Sequence, residues 1–331
     1  MLAGMKNFLP QRDQIWSATP TPFTSDGRVD TASVQRLVAH HADLGVAGLM
    51  LGGTCGEGPW LRDRDREVLA RTAVEAAKGK LTIAFQVTDN SSVRVLDNIE
   101  LAAAWGVEIA VVAAPSFFLN ATPKRLASHY AEVARRSALP VGLYDRGAAS
   151  PYVLPESLLP ELLSEPNIVV VKDSSQQEAR RNAYLQARAA RPGLVLFSGS
   201  EFDCVDFLSA GYDGLLLGGG IFNARLARQI TTAVRAGDLA AAHRLQARMN
   251  DLMYRVYGGP KIECWMTGLK ELLVQLGVFA TNWNLLGYPL TDECRAQIMG
   301  AVSGSDQLGY REELLVPRRS FTPLPTVAAA R

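Results

Sequence analysis

A lysine stands at the end of an unusually apolar stretch of the chain. In NIVVVKDSS, residues 167–175, a β-branched run leads directly into Lys172. An amine removed from water is more easily held neutral, and a neutral amine can attack a carbonyl carbon to form a Schiff base. The alternative is a lysine whose head reaches solvent or pairs with Asp173. Lys172 is therefore the first candidate for a catalytic nucleophile.

A tyrosine ends the apolar run that precedes this one. Tyr144 closes PVGLYD, residues 140–145. Neighbouring parallel strands lie about 4.8 Å apart, so Tyr144 and Lys172 would face one cavity if both runs are strands. A phenol there can carry a proton between the amine and the carbonyl oxygen. Taken alone, Tyr144 is better explained as an ordinary tyrosine at the rim of a cavity.

A third stretch is rich in glycine. GGTCGEG, residues 52–58, follows an apolar run and offers backbone N–H groups and a hydroxyl to an anion such as a carboxylate or phosphate. Glu57 either orients this turn or is an acid favoured at a helix N-terminus. We interpret Cys55 as a small filler rather than a nucleophile, because the sequence places no histidine to activate it.

The histidines give no sign of a metal or a triad. All of them fall in helical patterns away from the ends of strands, namely His40, His41, His129 and His243. This placement argues against a zinc site and against histidine-based nucleophilic catalysis. We therefore expect no metal.

Short apolar runs alternate with helical patterns along most of the chain. We predict strands at 15–21, 47–53, 81–87, 107–115, 140–145, 167–173, 193–200 and 212–220. These runs are continuously apolar, as in parallel strands that are covered on both faces. The repeat predicts an α/β fold, a (β/α)₈ TIM barrel over residues 14–235. A doubly wound sheet is the competitor, but no G-x-G-x-x-G follows the first strand.

The alternation of predicted strands and helices ends after residue 235. Three helical patterns follow without strands between them, with Gly258 and Gly277 as plausible stops. We predict a C-terminal helical extension over residues 236–303. Residues 1–13 would form an N-terminal extension, and residues 304–331 a weakly patterned tail.

Composition bounds the remaining possibilities. The net charge is +1, which gives no reason to expect nucleic acid or an anionic membrane as a partner. No run of apolar residues is long enough to span a bilayer, and the N-terminus is too polar for a secretory signal. The widely spaced cysteines make no metal pattern and fit free thiols in a reducing compartment. We therefore expect a cytoplasmic location.

The three motifs acquire meaning together. GTCGE, LYDR and VVVKDS occur in this order after an opening ATPTPFTSDGRVD, and over about residues 14–300 the chain resembles the dihydrodipicolinate synthase/N-acetylneuraminate lyase family. The resemblance implies a barrel with a C-terminal helical domain, usually a homotetramer. It implies that Lys172 binds pyruvate or another 2-keto acid as an imine and that Tyr144 shuttles protons. The carboxylate of the keto acid would bind the loop of Gly53, Thr54, Cys55, Gly56 and Glu57, without any organic cofactor.

Three departures from the family pattern bear on the substrate. Cys55 replaces the second hydroxyl of the loop, and Phe117 and Phe118 stand where synthases carry a tyrosine after the fourth strand. The synthase pattern Y-N-x-P-x-R becomes YDRGAA, which resembles instead the branch that dehydrates keto-deoxy sugar diacids. Arg146 could clamp the distal carboxylate of such a diacid, or it could form a salt bridge at the rim. We also expect Phe118, Ser198 and Leu216 to contact substrate.

The main hypothesis is a Schiff-base lyase, an aldolase or dehydratase, that acts on a 2-keto acid. Dihydrodipicolinate synthase proper is one alternative. A barrel that binds keto acids without turnover is another. A weaker alternative is a phosphate-handling barrel in which Gly218–Gly220 holds the phosphate. We expect a homotetramer or homodimer with a small molecule as its partner.

Overall fold

The computed structural model describes residues 9–304, which form a closed barrel of parallel strands. Each strand pairs with the next along the chain, and β1 pairs with β8 to close the ring. The predicted (β/α)₈ barrel is confirmed. The strands are β1 Ile15–Ala18, β2 Gly48–Leu51, β3 Thr82–Gln86, β4 Ile109–Ala113, β5 Val141–Asp145, β6 Ile168–Asp173, β7 Val195–Ser198 and β8 Gly214–Leu217.

Helices follow the strands and surround the barrel. They are α1 Thr31–Asp43, α2 Asp63–Ala77, α3 Ser92–Ala104, α4 Pro123–Arg136, α5 Leu159–Leu163, α6 Glu178–Ala190, α7 Cys204–Ala210 and α8 Gly220–Arg235. The predicted C-terminal helices are present as α9 Leu239–Tyr257, α10 Trp265–Gln275 and α11 Asp292–Ser303. No helix within residues 9–304 is both long and apolar enough to cross a membrane.

Local sequence signals set the ends of several helices. Thr122 accepts a hydrogen bond from the backbone N–H of Arg125 at the start of α4, where Pro123 fits the first turn. Thr291 caps α11 in the same way. Gly258, with a φ of 80°, ends α9 as the sequence indicates. Parts of the predicted N-terminal extension and nearly all of the predicted tail lie outside the described residues.

Several strands are shorter than their apolar runs predict. β2 ends at Leu51 and β8 ends at Leu217, whereas the glycine-rich residues that follow each strand leave the sheet. Glycine is apolar by composition but forms turns more readily than strands, which is why the runs extend past the sheet. The residues lost from the strands form loops at the mouth of the barrel.

Side chains alternate between the barrel interior and the surrounding helices. Trp16, Met50 and Phe197 pack in the interior, while neighbouring residues such as Leu49 join the outer core. The pairing of β5 and β6 contains one irregularity. Val141 lies opposite Ile168, but Gly142 lies opposite Val170, so Val169 is left over. Beyond this bulge, Tyr144 lies opposite Lys172.

Candidate active site

Lys172 and Tyr144 meet inside the mouth of the barrel. They lie on adjacent strands in direct register, and both side chains are buried. The Lys172 Nζ lies 4.2 Å from the centre of the Tyr144 ring. The structure therefore brings together the two side chains that the sequence singles out for Schiff-base chemistry.

The Lys172 amine has no fixed partner. Within residues 9–304 it makes neither a hydrogen bond nor an ion pair, and its contact is the face of the phenol. A Cβ added at Gly199 would lie 3.0 Å from Lys172 Cε, so the glycine after β7 leaves room for the lysine stem. The amine is thus buried and is not held by a hydrogen bond or an ion pair within residues 9–304.

The alternative pairing of Lys172 with Asp173 does not occur. Asp173 points to the outer side of the barrel, where it accepts hydrogen bonds from Tyr212 Oη at 2.5 Å and from the Ser175 backbone N–H at 2.9 Å. Burial raises the pKa of its carboxyl group, which these hydrogen bonds oppose. Asp173 therefore anchors the end of β6 from outside and leaves the amine alone.

Asp145 plays the same part beside Tyr144. Its carboxylate receives the fully buried Arg180 guanidinium at 2.6 Å, the hydroxyl of Tyr184, and the Gly147 backbone N–H at 2.8 Å. These contacts fix the end of β5 from its outer side. The carboxylates of Asp145 and Asp173, next to the two candidate catalytic residues, therefore hold the ends of β5 and β6 in place.

The loop of residues 52–58 reaches over the same mouth. Thr54 Oγ1 lies 3.5 Å from Tyr144 Oη, which links the loop to the candidate catalytic pair. The turn is tight, since a Cβ at Gly56 would lie 2.7 Å from the Gly52 nitrogen. Gly53 and Gly56 therefore shape the loop, and Thr54 supplies its hydroxyl to the site.

Cys55 lies in the barrel interior as a buried thiol. Burial raises its pKa to about 12, an effect that the nearby Lys172 charge only partly offsets. The group therefore stays protonated near neutral pH and is a poor nucleophile. This result fits the interpretation of Cys55 as a filler that can form weak hydrogen bonds.

Glu57 holds the loop to the C-terminal helices. Its carboxylate accepts hydrogen bonds from Lys270 Nζ and from the Leu285 backbone N–H, each at 2.5 Å, and Lys270 also donates to the Trp283 carbonyl at 3.0 Å. Both side chains of this ion pair are completely buried. Glu57 therefore orients the turn, one of the two roles considered for it.

Sequence reasoning missed Lys270. Burial lowers the pKa of Lys270 to about 8, although the Glu57 carboxylate acts in the opposite direction. The signal was a lysine within the apolar pattern TGLKELLV of α10. A charged residue on a buried helix face needs a partner, but the sequence gives no indication that the partner lies in the loop after β2.

Glu201 is a second residue that sequence reasoning did not select. It follows β7, and its partly buried carboxylate accepts hydrogen bonds from the Gly219 backbone N–H at 2.6 Å and from Tyr257 Oη at 3.1 Å. Burial raises its pKa, and Lys172 is near enough to oppose this rise. Because this carboxylate already accepts the Gly219 backbone N–H, the structure gives no support to a phosphate site in the 218–220 loop.

The remaining predicted contacts separate into two groups. Leu216 faces the barrel interior, and Arg146 lines the cavity at the mouth. Ser198 does not reach the mouth, because it pairs with Asp173 on the outer side of the sheet and accepts from the Ser200 backbone N–H. Phe118 packs against His129 and Tyr152 in the outer layer. The structure therefore does not bring Ser198 and Phe118 to the site.

A cavity of about 380 Å³ opens at this mouth, a size that suits a small metabolite. Its inner wall includes Thr54, Gln86, Tyr144 and Arg146. Lys172 lies behind the Tyr144 ring and does not line the cavity. Among the described residues, no cluster of three or more histidine, cysteine or acidic side chains could hold a metal ion.

Comparison with known proteins adds independent findings. Residues 11–304 match the family model of the dihydrodipicolinate synthetase family. The chain is 30% identical over 239 residues to a 4-hydroxy-tetrahydrodipicolinate synthase of Mycolicibacterium paratuberculosis, covering 72% of this chain and 78% of that protein. It is 28% identical to an N-acetylneuraminate lyase of Rhizobium meliloti over 94% of each chain.

Solved structures share the fold. The crystal structure of YagE from Escherichia coli K12, a prophage protein of the dihydrodipicolinic acid synthase family solved with pyruvate, superposes with a TM-score of 0.77. The match has 24% sequence identity and covers 89% of this chain and 98% of YagE.

Proposed function

This chain belongs to the dihydrodipicolinate synthetase family and is a lyase of that family, and we propose that it forms a Schiff base between Lys172 and pyruvate or a related 2-keto acid. One observation carries the proposal. A buried amine without hydrogen-bond or ion-pair partners within residues 9–304 lies 4.2 Å from the ring of a tyrosine whose hydroxyl approaches Thr54. Each of these groups has a task in imine formation.

The chemistry begins at the carbonyl carbon of the keto acid. The Lys172 nitrogen forms a bond to C2, and Tyr144 passes a proton from this nitrogen to the carbonyl oxygen. That oxygen takes a second proton from solvent and leaves as water, which yields an iminium. Because Lys172 lies behind the phenol ring, its stem must rotate toward the cavity. The absence of a fixed partner for the amine supports that rotation.

The loop of residues 53–56 is the proposed carboxylate site. Thr54 presents a hydroxyl beside Tyr144, and the neighbouring backbone N–H groups of a tight turn suit an anion. Cys55 adds a thiol, which is a weaker donor than a hydroxyl. A keto acid held there has its C2 directed at the Tyr144 side of the mouth.

Arg146 is the proposed site for a second carboxylate. Its guanidinium lines the cavity and forms no ion pair or hydrogen bond with the residues that the structure describes. The salt bridge considered as its alternative role is therefore not found there. A planar guanidinium binds a carboxylate in a bidentate manner, which favours a 2-keto diacid as the substrate.

Dihydrodipicolinate synthase activity is the second candidate, because curated relatives of this chain carry that name. Two features weigh against it. Phe117 and Phe118 offer no hydroxyl after β4. Ala149 stands where the synthase pattern Y-N-x-P-x-R has its arginine. We rank cleavage or dehydration of a longer keto acid above it.

We propose a homotetramer or homodimer as the working assembly. Phe117 and Leu119, in the loop after β4, are 61% and 73% exposed in the single chain. Apolar side chains this exposed are often covered by another subunit. Sedimentation analysis tests this proposal, and a monomer at micromolar concentration contradicts it.

Reduction of a trapped imine tests the proposed function. Incubation with pyruvate and borohydride should add the reduced adduct to Lys172, detected by peptide mass spectrometry, whereas Lys172→Ala should take up none. A 2-keto diacid in place of pyruvate should trap at lower concentration, and Arg146→Gln should remove that advantage. An unmodified Lys172 under saturating pyruvate contradicts the proposal.

A further inference from the structure

Glu201 is a partly buried carboxylate at the mouth of the barrel that the proposed reaction does not use. It follows β7 and accepts hydrogen bonds from the Gly219 backbone N–H and from Tyr257 Oη. Both donors are neutral groups, and Glu201 forms no ion pair with the residues that the structure describes. A carboxylate withdrawn from water normally has a cation as its partner, so its surroundings call for an explanation.

Two other carboxylates beside the mouth show the contrast. Glu57 forms an ion pair with Lys270, and Asp145 forms one with Arg180. Glu201 has no cation bound to it, and the amine of Lys172 has no anion bound to it within residues 9–304. The mouth therefore holds one acidic and one basic side chain that the protein itself does not pair.

The Glu201 carboxylate shares the barrel interior with the Lys172 amine. A Cβ added at Gly218 would lie 2.9 Å from Cys55 Sγ and 3.5 Å from Glu201 Oε2, so the thiol and the carboxylate border one space. Cys55 belongs to the interior cluster that includes Tyr144, whose ring contacts the amine. Burial raises the pKa of both Cys55 and Glu201, and the Lys172 charge opposes the rise in each.

The hydrogen bonds of Glu201 favour its ionised form. The Gly219 N–H and the Tyr257 hydroxyl both donate to it, and donors stabilise a carboxylate relative to the neutral acid. Gly219 also stands directly before α8, and a negative charge is favourable at the N-terminus of a helix. We therefore expect Glu201 to carry a negative charge in the alkaline range, although burial raises its pKa.

We propose that Glu201 is a positioning residue that acts through Lys172: its negative charge keeps the Schiff base of that lysine protonated. The inference rests on the proposed function, because without an imine there is no iminium cation to stabilise. A protonated imine withdraws electrons from the neighbouring carbon, whereas a neutral imine does so poorly. The charge of Glu201 thus keeps the adduct in its reactive form, and this role requires no contact with the substrate.

A pH-jump experiment tests this role. The imine is formed with saturating pyruvate at about pH 7 and is then mixed briefly with cyanoborohydride at several values from about pH 6 to 10. Because cyanoborohydride reduces the protonated imine, the adduct on Lys172 falls at the pH where the imine loses its proton. In Glu201→Gln this alkaline fall should occur about one pH unit lower than in wild type, a roughly tenfold change in the protonation equilibrium. A merely structural role would not move it.

The other ionisable groups around the amine are accounted for. Burial raises the pKa of Cys55 to about 12 and the pKa of Tyr257 well above its usual value, so both stay protonated in this range. Asp173, on the same strand as the amine, points to the outer side of the barrel. Tyr144 faces the amine from β5 and is present in both proteins. The shift caused by Glu201→Gln should persist when Tyr144→Phe is the common background, with longer incubation to form the imine.

A matched variant separates the effect from general disturbance. Glu108 precedes β4 at the opposite end of the barrel and accepts the Ile83 backbone N–H at 2.6 Å, the distance at which Glu201 accepts that of Gly219. Glu108→Gln should lower the unfolding midpoint about as much as Glu201→Gln and leave the alkaline fall at its wild-type position. If Glu201→Gln does not fold, Glu201→Ala leaves room for water beside Gly219 and should show the same shift.

The outcomes distinguish the inference from the proposed function. A wild-type protein without a pyruvate adduct on Lys172 contradicts the proposed function itself. A normal adduct whose alkaline fall is unchanged in Glu201→Gln overturns the inference and leaves the proposed function standing. An equal shift in Glu108→Gln, or loss of the shift in the Tyr144→Phe background, overturns it as well.

Discussion

Lys172 and Lys270 are both buried lysines, but their surroundings differ. Lys172 lies 4.2 Å from the ring of Tyr144, and Lys270 lies 4.4 Å from the ring of Phe23. Lys270 forms an ion pair with Glu57 of the 52–58 loop, whereas Lys172 forms no ion pair within the described part of the chain. Burial and an aromatic neighbour are common to both, so neither feature distinguishes a reactive amine from a structural one.

The two lysines differ in whether the amine has a hydrogen-bond or ion-pair partner. The Lys270 amine is held by the Glu57 carboxylate and the Trp283 carbonyl, and an amine held in this way cannot attack a substrate. Lys172 has no such partner in the described part of the chain, and its stem must rotate to bring the amine to the cavity. A sequence contains the lysines but not their partners, and for this reason the structural role of Lys270 could not be predicted from it.

The largest effect should come from Lys172→Met. Turnover should fall by more than about a thousandfold, because the proposed nucleophile is lost. The free energy of unfolding should stay unchanged or rise by up to about 1 kcal/mol, since an unpaired buried amine is replaced by an apolar chain. Urea unfolding and a turnover assay on one preparation measure both quantities. A clear loss of stability would place Lys172 in the same structural class as Lys270.

Lys270→Met should show the opposite profile. Loss of the amine leaves the Glu57 carboxylate buried and unpaired, which costs about 3–5 kcal/mol in comparable cases. The double variant Glu57→Gln/Lys270→Met should recover part of that loss. Urea unfolding gives the stability difference, and borohydride trapping of the folded fraction should still modify Lys172. Equal stabilities of the wild type and Lys270→Met would contradict a structural role.

The smallest expected effect is a pH dependence. Burial lowers the pKa of Lys270 from 10.5 to about 8. Between these values the unfolded chain binds the proton and the folded chain does not, so the free energy of unfolding should rise with pH. Below about pH 8 both states hold the proton and the contribution is constant. Unfolding at several pH values from 7 to 10 should show this rise in wild type and not in Lys270→Met, and parallel curves would argue against it.

The fold could be predicted because its signals are local. Continuous apolar strands, helical patterns between them and glycine stops each occupy a few residues, and the barrel follows from their repetition. Strand ends were less certain, because a glycine-rich loop such as 218–220 continues the apolar composition of β8 without its geometry.

The site could be predicted only where position along a strand decides it. Tyr144 and Lys172 stand at strand ends and face inward, so the sequence was sufficient to place them together, and their catalytic roles stay a prediction. Ser198 also ends a strand but faces outward, because the residue before it, Phe197, faces the barrel interior. Glu57 and Lys270 are 213 residues apart, and only the folded chain brings them together.

Val169, the extra residue at the bulge in β6, sets the register of the rest of the strand against β5. One additional residue shifts the count of every later residue in the strand, so that the amine rather than Val171 stands opposite the phenol. Regular pairing of the same residues, without the bulge, would retain the full complement of chemical groups and yet place Val171 opposite Tyr144. The proposed catalytic pair is thus encoded in a count of residues as well as in their identities.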